Sequence, residues 1–270
     1  MLKNRLIPSI ILNNGNIVQS VNFDHKNIVG NAITAVDFFN SWAVDEIIIL
    51  DVSRDENNRE KFHKIISGLS KRCFVPLTVG GWIKNIDDIR QILTEGADKV
   101  CINTEAFRNT HFISEASGVF GSQCIVISID VRKTQSGKYN VYVDRGRENT
   151  NLDAIEWARE VEKRGAGEIF LTSIDNDGKK SGYDLELLKK ITSSVNIPVI
   201  TFGGVGNWSH LVDGINIGNA DAVSAANIFH HTEHSTHTAK EFMKNAGLNV
   251  RQSNFYKLPT PRKPKYNEIF

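Results

Sequence analysis

Apolar runs long enough to cross a bilayer are missing from this sequence. Nothing approaches the roughly 18 consecutive apolar residues of a spanning helix, and the opening "MLKNRLIPSI" lacks the apolar centre of a secretory signal. An excess of either charge is missing too. Lys+Arg number 32 against 31 Asp+Glu, a formal net charge of +1, which removes any global electrostatic case for nucleic acid or an anionic membrane surface. Cysteine is scarce: Cys73, Cys101 and Cys124 stand singly in apolar surroundings with no CxxC pair. They read as reduced core thiols rather than a disulfide framework or a metal site. The histidines of "FHHTEHSTH" (229–237), His230, His231, His234 and His237, fall in a short polar stretch and read as a solvated loop. These absences predict a soluble, untargeted, cytoplasmic protein with no metal, cofactor, membrane or nucleic-acid partner.

What is present is alternation. Short apolar runs read as strands buried on both faces: "RLIPSIIL" (5–12), "EIIILDV" (46–52), "FVPLTV" (74–79), "DKVCIN" (98–103), "CIVISIDV" (124–131), "EIFLTS" (168–173), "IPVITF" (197–202) and "DAVSAA" (221–226). Between them, amphipathic stretches such as "NNREKFHKIISGLSKR", "NIDDIRQILTEGA" and "NLDAIEWAREVEKRGA" read as helices, several closing on Gly with basic residues in the last turn. Eight strand–helix units predict a (β/α)8 TIM barrel over residues 1–252, and the absence of GxGxxG after the first strand argues against an open dinucleotide-binding sheet. The tail "SNFYKLPTPRKPKYNEIF" (253–270) holds three of the six prolines and has no period, so it is expected to be an extension rather than a domain.

The barrel is predicted to consist of two similar halves. "TVGGWIKNIDDIRQILTEGADKVCINTEAF" (78–107) parallels "TFGGVGNWSHLVDGINIGNADAVSAANIF" (201–229), setting Gly80 against Gly203. Glu46 likewise matches Glu168, and Ile11 is the half-barrel counterpart of Asp130.

Barrel sites sit at the C-terminal strand ends. There "VGG" (79–81) and "FGG" (202–204) allow close backbone approach and offer N–H groups to an oxyanion. Paired with Asn103 and Thr104 in one half and Ala226 and Asn227 in the other, they suggest two phosphate sites, although a lone Gly-Gly is as often a tight turn. Asp130 closes an apolar strand and is a general acid/base candidate, against the plainer reading of a salt bridge to Arg132. Asp177, in the loop "DNDGKKSG", suits substrate hydroxyls or phosphate, and Asp51 could be structural. At the opposite end Arg5, Glu46, Lys99 and Glu168 begin strands, and from the residues alone they read as stabilising charges.

The motifs "VGG", "GADKVCINT" (96), "FGSQCIVISID" (120), "EKRGAGEIFLTSIDNDGKKSGYD" (162) and "FGGVG" (202) carry a resemblance to the HisF family, the cyclase subunit of imidazole glycerol phosphate synthase, over about Met1 to Arg251. The resemblance implies a HisH-like glutaminase docked on the N-terminal face of the barrel and ammonia passing through it. It turns Arg5, Glu46, Lys99 and Glu168 into an ammonia gate, and it places a phosphorylated ligand on Gly81, Asn103 and Thr104 and on Asp177, Gly178, Gly203, Gly204, Ala226 and Asn227. It also implies an acid/base pair of aspartates ending strands one and five. Asp130 matches the second, but the first falls on Ile11, which exchanges no proton. Gln19, Trp82 and Lys179 depart at the same mouth, where the family has lysine, glycine and threonine. This pattern resembles the HisF-type paralogues of surface-glycan gene clusters, in which a glutaminase, a barrel protein and an ATP-dependent amidotransferase make acetamidino sugars. The competing expectation is the histidine-pathway cyclase itself.

Overall fold

Period-two alternation along the first strand sets the plan of the molecule. In β1 (Arg5–Asn13), Leu6, Ile10 and Leu12 join the large core beneath the helices, while Ile7 and Ile11 join a smaller cluster inside the sheet. The computed structural model describes residues 3–41, 44–230 and 235–251. The tail 253–270, His231 and His234 therefore lie outside the described residues.

A hairpin of β2 (Asn16–Val21) and β3 (Asp24–Gly30) follows, then α1 (Ala32–Ser41), β4 (Ile47–Asp51), α2 (Asn58–Ser70), β5 (Leu77–Gly80), α3 (Ile86–Thr94) and β6 (Lys99–Ile102). The chain continues through α4 (Thr104–Arg108), α5 (His111–Phe120) and β7 (Ile125–Lys133) into a second hairpin, β8 (Tyr139–Val143) and β9 (Glu148–Asp153). It ends α6 (Ala154–Lys163), β10 (Glu168–Ser173), α7 (Leu185–Thr192), β11 (Val199–Phe202), α8 (Trp208–Asn216), β12 (Ala222–Ala225) and α9 (Ser235–Asn245). β1, β4, β5, β6, β7, β10, β11 and β12 pair in parallel in that order, and β12 returns to β1. Closure gives the eight-stranded (β/α)8 barrel, in which all eight predicted runs are strands.

Helices α3, α6, α7 and α8 start at side-chain caps, whereas α2, α4 and α5 do not. Asn85 and Asp88 form a reciprocal capping box on α3, and the Asp153 carboxylate accepts from the amides of Ile155 and Glu156 at the start of α6. Gly96 (φ 107°) and Gly165 (φ 96°) follow α3 and α6 in the left-handed region that a side chain would strain. Several helices carry the expected basic last turn, Arg108 in α4, Lys163 in α6, Lys189 and Lys190 in α7 and Lys244 in α9; α3 has none, and neither has α2, which stops at Ser70, short of Lys71 and Arg72.

The two hairpins were not expected. Both rise from the mouth end of the barrel, one after β1 and one after β7, so they are themselves half-barrel mates. Their turns use left-handed residues: Asn14 and Gly15, Asn22 and Phe23, and Asp144, Arg145 and Gly146, the twist that joins tightly paired strands. Among the described residues no helix is long and apolar enough to cross a membrane.

Candidate active site

Between the hairpins and the strand ends lies a cavity of about 470 Å³, lined among others by Ile11, Gly81, Trp82, Asn103, Thr104, Asp130 and Phe202. The fold thus brings one predicted phosphate group, Gly81, Asn103 and Thr104, into the same hollow as Asp130 and the position opposite it in the repeat. Gly81 sits at φ 118°, and a Cβ there would come within 2.8 Å of the Asp51 carbonyl oxygen, so only glycine fits this close crossing. Trp82 follows with φ 62°, and its ring takes space in the cavity that a glycine would leave open. Its indole N–H is buried without a well-formed hydrogen bond, although it lies near enough to Asp51 to favour the ionised carboxylate there; burial nonetheless drives the Asp51 pKa upward overall.

Asp130 is 7% exposed. Ser128 Oγ donates to its Oδ1 at 3.1 Å and Asn103 Nδ2 to its Oδ2 at 3.2 Å. Burial pushes its pKa up to about 7, with Ser128 and Thr172 opposing the rise and the Asp177 charge adding to it. The plainer sequence alternative, a salt bridge to Arg132, does not form; the Arg132 guanidinium lies over the Tyr142 ring instead, 5.4 Å from its centroid. A carboxyl group poised near neutrality in a cavity can both donate and accept a proton. Ile11, 7% exposed, offers only a hydrocarbon wall. The sequence reading missed Ser128 and Thr172 as holders of Asp130. Ser128 was findable, since it lies two residues away on one strand and so on one face; Thr172 is set by register, which pairs it with Asp130 across β7 and β10.

The second predicted group does not line this cavity. The Asp177 carboxylate accepts from Ser20 Oγ at 2.8 Å and from the Phe23 amide at 3.1 Å, and its carbonyl accepts from the Asn22 amide at 3.0 Å. A Cβ on Gly178 would stand 2.3 Å from the Ser20 carbonyl oxygen, and one on Gly204 2.1 Å from that of Gly182. Asn227 Nδ2 reaches the Ser20 carbonyl at 3.4 Å, Gly203 abuts the Ser173 carbonyl, and Ala226 packs in the barrel interior. The β2–β3 hairpin therefore seats directly on this half of the mouth. Gln19 and Lys179 also stay out of the cavity lining.

At the floor the four charges close a ring. Arg5 bonds Glu46 at 2.9 Å and Glu168 at 3.0 Å, while Lys99 bonds Glu46 at 3.2 Å and Glu168 at 2.8 Å. Thr78 Oγ1 donates to Glu46 at 2.6 Å. Burial alone would raise the Glu168 pKa, but Arg5 and Lys99 outweigh it and hold the group below the ordinary value. Burial would likewise lower Arg5, and the two glutamates reverse that into a rise. Beside the ring, Lys240 bonds Asp45 at 2.6 Å with both side chains buried, a pair not anticipated from sequence. Above it the interior is mostly apolar, with Ile7, Ile48, Val126 and Ile200 fully buried and the rings of Phe170 and Phe202 5.2 Å apart, interrupted by the buried hydroxyl pair Ser9–Ser224 at 2.7 Å. Among the described residues no group of three or more His, Cys, Asp or Glu could hold a metal.

A family model described as histidine biosynthesis protein matches residues 5–235. A Vibrio vulnificus (strain YJ016) protein that bears the name imidazole glycerol phosphate synthase subunit hisF2 is 49% identical over 253 residues, which cover 94% of this chain and 93% of that protein.

Proposed function

Because the chain belongs to the histidine biosynthesis protein family and within it is of the HisF type, we propose that it is the barrel subunit of a glutamine-dependent pair, admitting ammonia at the floor and releasing it at the mouth. The observation that carries this reading is the closed floor ring of Arg5, Glu46, Lys99 and Glu168. Four charges that satisfy one another across the strand starts seal the barrel to water and ions. Displacing Lys99, the one flexible point charge among them, opens a path into an apolar interior suited to neutral NH₃ rather than hydrated ammonium. Apolar side chains exposed at the floor end, Phe38, Phe74, Val119, Ile217 and Phe242, stand at helix ends or in loops leading into strand starts, and they favour a protein partner, a HisH-like glutaminase, on that face.

At the mouth, one carboxyl group faces a hydrocarbon wall. Cyclisation with bond cleavage calls for proton transfers on two sides of a substrate, and Ile11 supplies none; losing one of two acid/base groups costs about 10²–10⁴ in rate. We therefore place the chemistry of amidation downstream, on an ATP-dependent amidotransferase acting on an acetamido sugar of a surface glycan. In purified protein with its glutaminase, Lys99→Ala is expected to leave glutamine hydrolysis running while amidation falls. Unchanged coupling refutes the channel.

A second reading has its own observation. Asp130, with a pKa near 7, is suited to serve as acid and base in turn, as a histidine-pathway cyclase would require of a single group. Supplying ammonium salt and the phosphoribulosyl-formimino carboxamide substrate separates the two: formation of imidazole glycerol phosphate at a normal rate establishes the cyclase.

A further inference from the structure

A second hollow of about 480 Å³ lies beside the mouth cavity, between the turns of the two hairpins. Its lining includes four arginines, Arg54, Arg132, Arg145 and Arg147, against two carboxylates, Asp24 and Asp55; with Asp144, which faces Arg54 and Arg145 from beside it, the local balance is +1. These cations are poorly neutralised by the protein. Arg54 reaches Asp144 only at 4.0 Å, and Arg145 meets the same carboxylate at 3.4 Å while also donating to the Ser53 carbonyl. Arg132 has a buried Nε–H with no acceptor. Arg147 projects from the β8–β9 turn with an exposed side chain. Burial lowers the Arg145 pKa; the Asp144 charge opposes that fall, the neighbouring Arg54 charge adds to it, and Asp51 opposes it in turn. Like charges gathered around one hollow repel one another, a cost that a bound anion relieves.

We infer that this hollow is a binding site for the diphosphate group of a small molecule whose remainder extends into the Asp130 cavity. Guanidinium groups bind phosphate oxygens in paired, charge-assisted contacts. Four guanidinium groups spread around one hollow can contact the oxygens of two adjacent phosphates at once, which a single monoester does not span. Phe23, Val52, Arg54 and Arg145 line both hollows, so a ligand anchored by its diphosphate reaches Asp130 without leaving the protein. The β2–β3 hairpin covers part of the second glycine group, at Gly178 and Asn227. The site stands on the arginines and does not depend on the ammonia route.

Calorimetric titration of the purified chain with inorganic pyrophosphate, and separately with inorganic phosphate, tests it. Pyrophosphate is expected to bind about tenfold or more tightly than phosphate, with affinity falling as salt rises. The double variant Arg54→Gln/Arg147→Gln, which removes the two least engaged cations, is expected to weaken pyrophosphate by about tenfold or more while thermal unfolding stays unchanged. Absent binding, equal affinity for the two anions, or indifference to the double variant overturns the site. None of these readouts involves ammonia or glutamine, so the floor channel and this site stand or fall separately.

Discussion

Replacing Asp130 by Asn isolates what it costs to hold a carboxyl group in the mouth. Burial pushes the Asp130 pKa from 3.8 up to about 7, against the opposing hydrogen bonds of Ser128 and Thr172. In the unfolded chain the group ionises near its ordinary value, so between those two pH values folding requires the uptake of a proton. The penalty is therefore absent below the unfolded pKa, grows as pH rises and levels off above the folded pKa. At about 1.4 kcal/mol for each pH unit separating the two values, it is limited to ~4 kcal/mol, of which ~2–3 kcal/mol develops between about pH 5 and pH 8. Asn has no proton to titrate and abolishes that slope. Its absolute level carries a separate cost of about 1–2 kcal/mol, because the Asn103 amide then meets another amide. Urea-unfolding free energies compared at about pH 5 and pH 8 separate slope from level: Asp130→Asn is expected to gain ~2–3 kcal/mol on the parent across that interval. Parallel curves for the two proteins would refute the reasoning and mean that folded Asp130 is already ionised at pH 5.

Lys99→Met strips two buried glutamates of a shared partner and is expected to destabilise by about 2–4 kcal/mol, read as a lower thermal midpoint; adding Glu46→Gln should recover part of the loss, and strict additivity would refute a coupled ring. Because Glu168 is held below its ordinary value, its contribution is present above the unfolded pKa and lost as pH falls through the folded one, so the same variant should flatten the acid limb of stability. Gly178→Ala forces a Cβ to 2.3 Å from the Ser20 carbonyl at φ 72° and should cost about 2–4 kcal/mol, with faster amide exchange at Ser20 to Phe23; native-like exchange there would mean the hairpin is not seated. Ile11→Asp places a second carboxyl group beside a buried one, and its unfolding penalty of about 2–5 kcal/mol should be larger at pH 8 than at pH 5; an equal penalty at both would show that the new group ionises freely.

The barrel was legible because each barrel strand is a short, largely apolar run, and the half-repeat alone makes Ile11 the counterpart of Asp130. The hairpins were not, for a physical reason. "ENTNLD" is short, polar and little buried, and it pairs because a neighbouring strand offers hydrogen bonds; "NIVQSV" buries Ile17 and Val18 but is too short to stand out beside the long run before it. Asn14-Gly15 was a readable turn signal that the apolar run before it obscured, whereas Asn22-Phe23 carries no glycine to mark its turn. The same gap explains the site. Gly81, Asn103 and Thr104 could be placed in a mouth from strand ends alone, but only the hairpin shows that Asp177, Gly178 and Asn227 are engaged by Ser20 to Phe23. Arg54 and Arg145 converge through two separate loops, and no spacing in the sequence links them.

The contact between Ser20 and Asp177 joins residues 157 apart in sequence, and β1 finds its last neighbour only in β12. A chain emerging from its N-terminus thus carries the first hairpin and the first strand long before their partners exist. The Asp130 strand and the floor residues Arg5, Glu46 and Lys99 can come together earlier, but the ring waits for Glu168 and the mouth for Asp177. Contacts this distant form slowly and late. Both ends of the barrel therefore become functional close to the moment of closure, and a truncated or stalled product would present an open sheet edge rather than a partly working enzyme.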